Sequence, residues 1–147
     1  MKLQPQLALM FNGNCEEAFR HYERCLGGTI TFMLTWADAP STYAPVPPDW
    51  ESKIYHATLA LGDSAISGAD VPPDRYTPPA GFSVTLQMDD PSAADRVFAG
   101  LAEGGTIKAF LQETFWAARF GAVVDRFGIE WAVNVDGEPQ SGVGGSA

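Results

Sequence analysis

The chain has 147 residues, 46% of them hydrophobic and only 18% charged. That suits one folded domain with a sizeable core and excludes a disordered chain. Eighteen acidic residues against nine basic ones give a net charge of −9, which repels a phosphate backbone and excludes nucleic acid as an expected partner. No apolar run approaches the ~20 residues of a membrane span. The short apolar stretch near the N-terminus lacks the long apolar region and cleavage site of a signal peptide, so a cytoplasmic location is expected.

Residues 7–11 (LALMF) read as a strand. Asn14 is a candidate helix N-cap with Glu17 as its capping-box partner. Cys15, Ala18, Phe19, Tyr22 and Leu26 then recur at helical spacing, and Gly27-Gly28 stops the helix. Cys15 and Cys25 lie roughly 15 Å apart along that helix. A disulfide needs Cα atoms within about 7 Å, so the two cannot pair there, which suits a reducing compartment. Residues 29–35 form a β-rich strand. Four prolines between residues 40 and 49 mark an extended loop, flanked by Trp36, Tyr43 and Trp50, that is a candidate lid or subunit contact. Strands at 53–61 and 64–69 follow, joined by the tight Gly62-Asp63 turn.

Residues 71–80 form a proline-rich linker, after which the pattern restarts. Residues 82–88 alternate as a strand. Asp90 and Pro91 open a helix whose apolar face is Ala93, Ala94, Val97 and Leu101. Gly104-Gly105 ends it, residues 106–111 form a strand, and 118–125 with 129–135 make a final hairpin. Asp125 and Gly128 read as turn chemistry there. The halves superpose: Leu7, Leu9 and Phe11 map onto Val84, Leu86 and Met88, and Gly27-Gly28-Thr29-Ile30 onto Gly104-Gly105-Thr106-Ile107, both at an offset of 77 residues. The chain is therefore two copies of one βαβββ module, at about 5–70 and 81–136, within a single domain spanning 1–136. The tail 137–147 has nothing to bury and is expected to be loose.

Two such modules resemble the vicinal oxygen chelate superfamily, which includes glyoxalase I, extradiol dioxygenases and bleomycin-resistance proteins. The segments LALMFNGNCEEAFRHY, IYHATLALGDSAISGAD and QETFWAARFGAVVDRFGIEWAVN resemble its PhnB-like branch, some sequences of which carry a 3-demethylubiquinone 3-methyltransferase label. The resemblance implies an α+β fold with a curved eight-stranded mixed sheet, helices on its outer face and a ligand trough inside. It also implies a homodimer. The methyltransferase label meets a physical objection, since no glycine-rich turn joins a strand to a helix as a Rossmann site requires.

Strand alternation assigns the faces. Leu7, Leu9 and Phe11, then Tyr55, Ala57, Leu59 and Leu61, and later Trp131, Val133 and Val135 point to the core. Gln6, Ala8 and Met10 line the trough, as do Ile54, His56, Thr58 and Ala60. In the second module Ser83, Thr85, Gln87, Glu130, Ala132 and Asn134 do so. The superfamily's metal ligands come from four equivalent strands, and those positions here are Gln6, Ser67 or Gly68, Ser83 and Ala132. A catalytic zinc needs three His, Cys, Asp or Glu ligands, and a non-haem iron needs two His and a carboxylate. The chain has two histidines, and His21 falls on the flank of the first helix, so no metal or other cofactor is expected.

His56 is the imidazole expected in the trough and a candidate general base, with Glu113 a candidate partner. Gln6, His56, Thr58, Ser83, Gln112 and Trp116 are the candidate ligand contacts, Trp116 offering a flat aromatic surface. The expected function is metal-independent binding of a small molecule, which the acidic charge would favour if cationic. The alternatives are a lyase, isomerase or dioxygenase with an atypical site, and a structural or regulatory dimer.

Overall fold

The computed structural model describes residues 1–40 and 45–137. Tyr43 and the tail beyond residue 137 lie outside the described residues. The chain divides into two compact units, Met1–Thr77 and Pro78–Ala147. Between them they carry the expected eight strands and two helices, as two four-stranded mixed sheets. Among the described residues no helix is long and apolar enough to cross a membrane.

The first unit runs β1 (Leu7–Phe11), α1 (Cys15–Leu26), β2 (Thr29–Thr35), β3 (Ile54–Leu61) and β4 (Ser64–Asp70). Its strands lie in the order β1-β4-β3-β2. β1 and β4 are parallel, and the other neighbours are antiparallel. Helix α1 covers one face. Phe19 and Tyr22 from the helix meet Leu9, Phe11, Ala57 and Leu59 from the sheet, all fully buried. Burying side chains of this size is the dominant favourable term in folding. The phenyl ring of Phe19 occupies the space that a Cβ on Gly68 would need, 2.5 Å from that position.

Two expectations for this unit are corrected. Asn14 sits at the N-cap position but makes no side-chain cap bond. The Asp70 carboxylate takes over instead: its Oδ1 accepts from the backbone N–H groups of Gly13 and Cys15 at 2.8 and 3.0 Å. Because Asp70 ends β4 beside Phe11, its charge falls on the positive end of α1. The second correction concerns β3. The β2–β3 register slips between Leu34 and Thr35, and this irregularity turns Ile54 into the core while Tyr55 stays half-exposed. Trp36 and Trp50 are buried and stack edge to face within the unit, 5.9 Å apart. The Trp36 indole donates to the Asp70 carbonyl. These rings anchor the base of the proline-rich loop.

The second unit runs β5 (Val84–Met88), α2 (Pro91–Ala102), β6 (Thr106–Gln112), β7 (Ala117–Val124) and β8 (Glu130–Asp136). The order is β5-β8-β7-β6, with β5 and β8 parallel. Here the cap is local, as expected: the Asp90 carboxylate accepts from Ser92 N–H at 3.0 Å and Pro91 opens the helix. Asp125 holds the β7–β8 turn. Its Oδ1 accepts from the N–H groups of Phe127 and Ile129, and its Oδ2 from the Trp131 indole at 2.8 Å.

The repeated Gly-Gly has a steric cause. Gly27 and Gly104 adopt φ of 77° and 73°, a region glycine enters without strain. Their followers have no room for a side chain. A Cβ on Gly28 would lie 2.5 Å from the Ala60 carbonyl, and one on Gly105 would collide with the Val124 carbonyl. Each glycine pair thus reverses the chain and lets the next strand pair closely with its neighbour.

Candidate functional site

In each unit the sheet face opposite the helix is open. In the first unit, cross-strand register sets Phe32 beside Thr58, Thr58 beside Ser67, and Ser67 beside Ala8. His56 is two residues from Thr58 on the same face, and its Nε2 lies 3.4 Å from the Thr58 hydroxyl. Its ring sits 5.8 Å from that of Phe32. His56 is exposed, and Thr58 is its polar partner among the described residues. No described carboxylate orients the imidazole, as a general base would need. Gln6 is exposed just ahead of β1.

Between Ser67 and Gly68 the structure decides clearly. The Ser67 hydroxyl donates to the Leu7 carbonyl on the open side, whereas Gly68 faces α1 under Phe19. The metal-equivalent positions therefore offer an amide (Gln6), two hydroxyls (Ser67, Ser83) and a methyl group (Ala132). This donor set does not fit zinc or iron. Among the described residues no group of three His, Cys, Asp or Glu side chains converges as a metal site would require. His21 is buried on α1 beside Tyr22.

Cys15 begins α1 at full burial and both cysteines are free thiols. Burial, and then the neighbouring Asp70 and Glu16 carboxylates, push the Cys15 thiol far above the ordinary range. It is a core group, not a nucleophile. A cavity of about 240 Å³ opens at the start of α1, between Gly13, Glu16 and Lys53. Its charged groups are already engaged: the Lys53 ammonium donates to the Gly13 carbonyl, and Asp70 accepts three backbone N–H groups, the third from Ile54.

On the open face of the second unit, one row runs Ala109–Ala122–Ala132–Thr85 and the next Gln112–Phe120–Asn134–Gln87. The alanines leave a shallow floor. Gln112 ends β6, and Glu113 and Trp116 follow in the β6–β7 turn; all three are exposed. Trp116 stacks against Phe115 and Phe120 at 4.8 and 5.6 Å, while the Thr114 hydroxyl accepts from Ala117 N–H to hold the turn. Ser83 is exposed just before β5. A Lys108–Glu130 ion pair of 3.0 Å spans the far end of the face.

Sequence reasoning placed Gln87 and Asn134 on this face but missed Asp89 and Asp136 as site candidates. Those two residues follow or end the parallel pair β5–β8, whose register sets Gln87 beside Asn134 and Met88 beside Val135. Parallel strands end on the same side, so the two carboxylates meet at one rim. A cavity of about 590 Å³ opens there, lined by Gln87, Met88, Asp89, Val135 and Asp136. The signal available in the sequence was an aspartate at equivalent ends of two strands that the repeat makes neighbours.

Four-stranded mixed sheets, each backed by one helix and repeated once, define the α+β glyoxalase/bleomycin-resistance class. A solved domain of that description from Frankia sp. EAN1pec superposes with a TM-score of 0.65 at 12% identity, covering 93% of this chain and 99% of its own. The chain belongs to the family described as 3-demethylubiquinone-9 3-methyltransferase, whose model matches residues 4–134, in agreement with the PhnB-like resemblance. The crystal structure of protein PA1353 from Pseudomonas aeruginosa is 43% identical with a TM-score of 0.84, covering 93% of this chain and all of the other. Protein YjdN of Escherichia coli (strain K12) is 32% identical over 142 residues, 92% of this chain and 95% of its own.

Proposed function

We propose that this chain binds a small organic molecule on the open faces of its sheets and does so without a transition metal. The observation that carries the reading is the composition of those faces. His56, Thr58, Gln87, Asn134 and Asp136 stand among alanines and half-exposed aromatic rings where a filled core would place close-packed aliphatic groups. The donor set at the metal-equivalent positions supports metal independence. We further propose that the chain acts as a homodimer, the commonest symmetric assembly.

The family description names a methyl transfer, yet the parallel neighbours β1/β4 and β5/β8 are each joined through a helix and two strands, not through one crossover helix. A glycine-rich Rossmann turn has no place in that connection. Methyl transfer is therefore left out of the proposal.

The test is a thermal-shift and native mass-spectrometry screen of organic compounds against metal-supplemented and chelator-treated protein. Saturable binding that survives chelation supports the reading. Stoichiometric metal, with binding abolished by chelation, overturns it. A lyase, isomerase or dioxygenase acting through His56 and Glu113 would reveal itself as turnover of a hit compound that His56→Ala abolishes. A sequestering protein binds the compound and returns it unchanged.

A further inference from the structure

We infer that the rim of the second unit, where β5 and β8 end together, is a recognition site for an organic cation bearing N–H donors, a primary ammonium or a guanidinium. This rests on the binding function proposed above and names its ligand class.

The inference starts from Asn134, which is only 8% exposed. An ionised aspartate only accepts hydrogen bonds, so the group Asn134 turns toward Asp136 is its amide nitrogen. That Nδ2 donates to Asp136 Oδ1 at 3.1 Å and to Gln87 Oε1 at 2.9 Å. Both amide hydrogens are thereby used, and the orientation of the whole network follows. The Asn134 carbonyl oxygen accepts from no described group. No fully buried side-chain oxygen or nitrogen lacks a partner among the described residues, so this oxygen reaches the open side of a nearly buried residue. Gln87, having given its oxygen to Asn134, is left with its Nε2 donor free. Asp89 and the second oxygen of Asp136 have no described partner either.

The cavity of about 590 Å³ is thus edged by two carboxylates and one amide donor, with Met88 and Val135 as apolar surface. An uncompensated pair of carboxylates beside a fixed carbonyl favours a cation that can donate several hydrogen bonds. The Gln87 amide adds a preference for an oxygen acceptor close to that cation.

The internal repeat explains why this end is free in the second unit alone. In the first, the carboxylate ending β4, Asp70, is consumed in capping α1. In the second, Asp90 caps α2 locally, which leaves the strand-end carboxylates with no structural duty.

Agmatine, titrated into 15N-labelled protein, is the test probe, with choline as a cation that lacks N–H donors. The expected result is saturable movement of the Asn134 and Gln87 side-chain amide signals, with choline weaker by about tenfold or more. Asp136→Asn and Asp89→Asn, both at exposed positions, should each weaken agmatine by about tenfold with signal dispersion unchanged. The inference is overturned if agmatine moves these amides no more than those beside Glu16 and Glu17, or if both variants bind within about twofold of the parent. Organic compounds binding beside His56 while agmatine fails would remove this inference and leave the proposed function standing. Failure of every compound would remove both.

Discussion

Asp70 does more structural work than any residue the sequence singles out. Its side chain takes three backbone N–H groups from two distant segments, and its own carbonyl takes the Trp36 indole. Asp70→Asn keeps the shape but turns an amide donor toward one of those N–H groups. A loss of about 3 kcal/mol is expected, read by urea denaturation. Cys15 gives a second expectation. Its folded thiol titrates above the unfolded one, so the neutral form is favoured in the native state. The corresponding stability is complete below the ordinary thiol range near about pH 8.5 and is lost as pH rises above it. Cys15→Ala should remove that alkaline decline in unfolding experiments. In the native protein, Ellman's reagent should modify half-buried Cys25 ahead of fully buried Cys15. His56 is the contrast: exposed, with one long polar contact, it should tolerate alanine within about 0.5 kcal/mol. None of Asp70's bonds was legible beforehand, because its partners lie up to 57 residues away and a strand-terminal aspartate looks like any turn residue.

At the scale of elements the sequence was more informative. Period-2 alternation in β1, β5 and β8 and the apolar faces of both helices reflect burial within single elements, which a one-dimensional pattern records. The slip at Ile54–Tyr55 depends on how β2 pairs with β3, and no alternation within β3 announces it. The helix α2 also buries Phe98, off the face read from Ala93, Ala94, Val97 and Leu101. The candidate site was legible to the same degree. Alternation put His56, Thr58 and Gln87 on the open faces, but the meeting of Asp89 with Asp136 depends on parallel pairing. The glycine pairs carry the element-scale prediction. Gly28→Ala and Gly105→Ala each press a methyl group against a backbone carbonyl that cannot rotate away. Each should cost about 1–3 kcal/mol, measured as a fall in thermal midpoint. Alanine at Gly62, where no atom lies within 4 Å, meets backbone strain alone.

For the molecule as a whole the governing quantity is a net charge of −9. Self-repulsion at that charge opposes compactness and is screened over about 10 Å at 0.1 M salt. The thermal midpoint should therefore rise on going from a few millimolar to physiological salt. The same screening should weaken capture of an organic cation at the Asp89–Asp136 rim, so the two responses should move in opposite directions in one titration. Sedimentation equilibrium tests the proposed homodimer, and a monomer at all concentrations would reject it.

The two helices begin under different rules, and that difference has a consequence for birth on the ribosome. Helix α2 carries Asp90 and Pro91 with it, so its first turn is complete as soon as it emerges. Helix α1 must wait for Asp70, which is synthesised 55 residues after Cys15. The nascent N-terminal helix is thus a provisional structure until the end of β4 has left the exit tunnel. Any pause in translation between those points would prolong the interval in which its apolar face is on offer to chaperones.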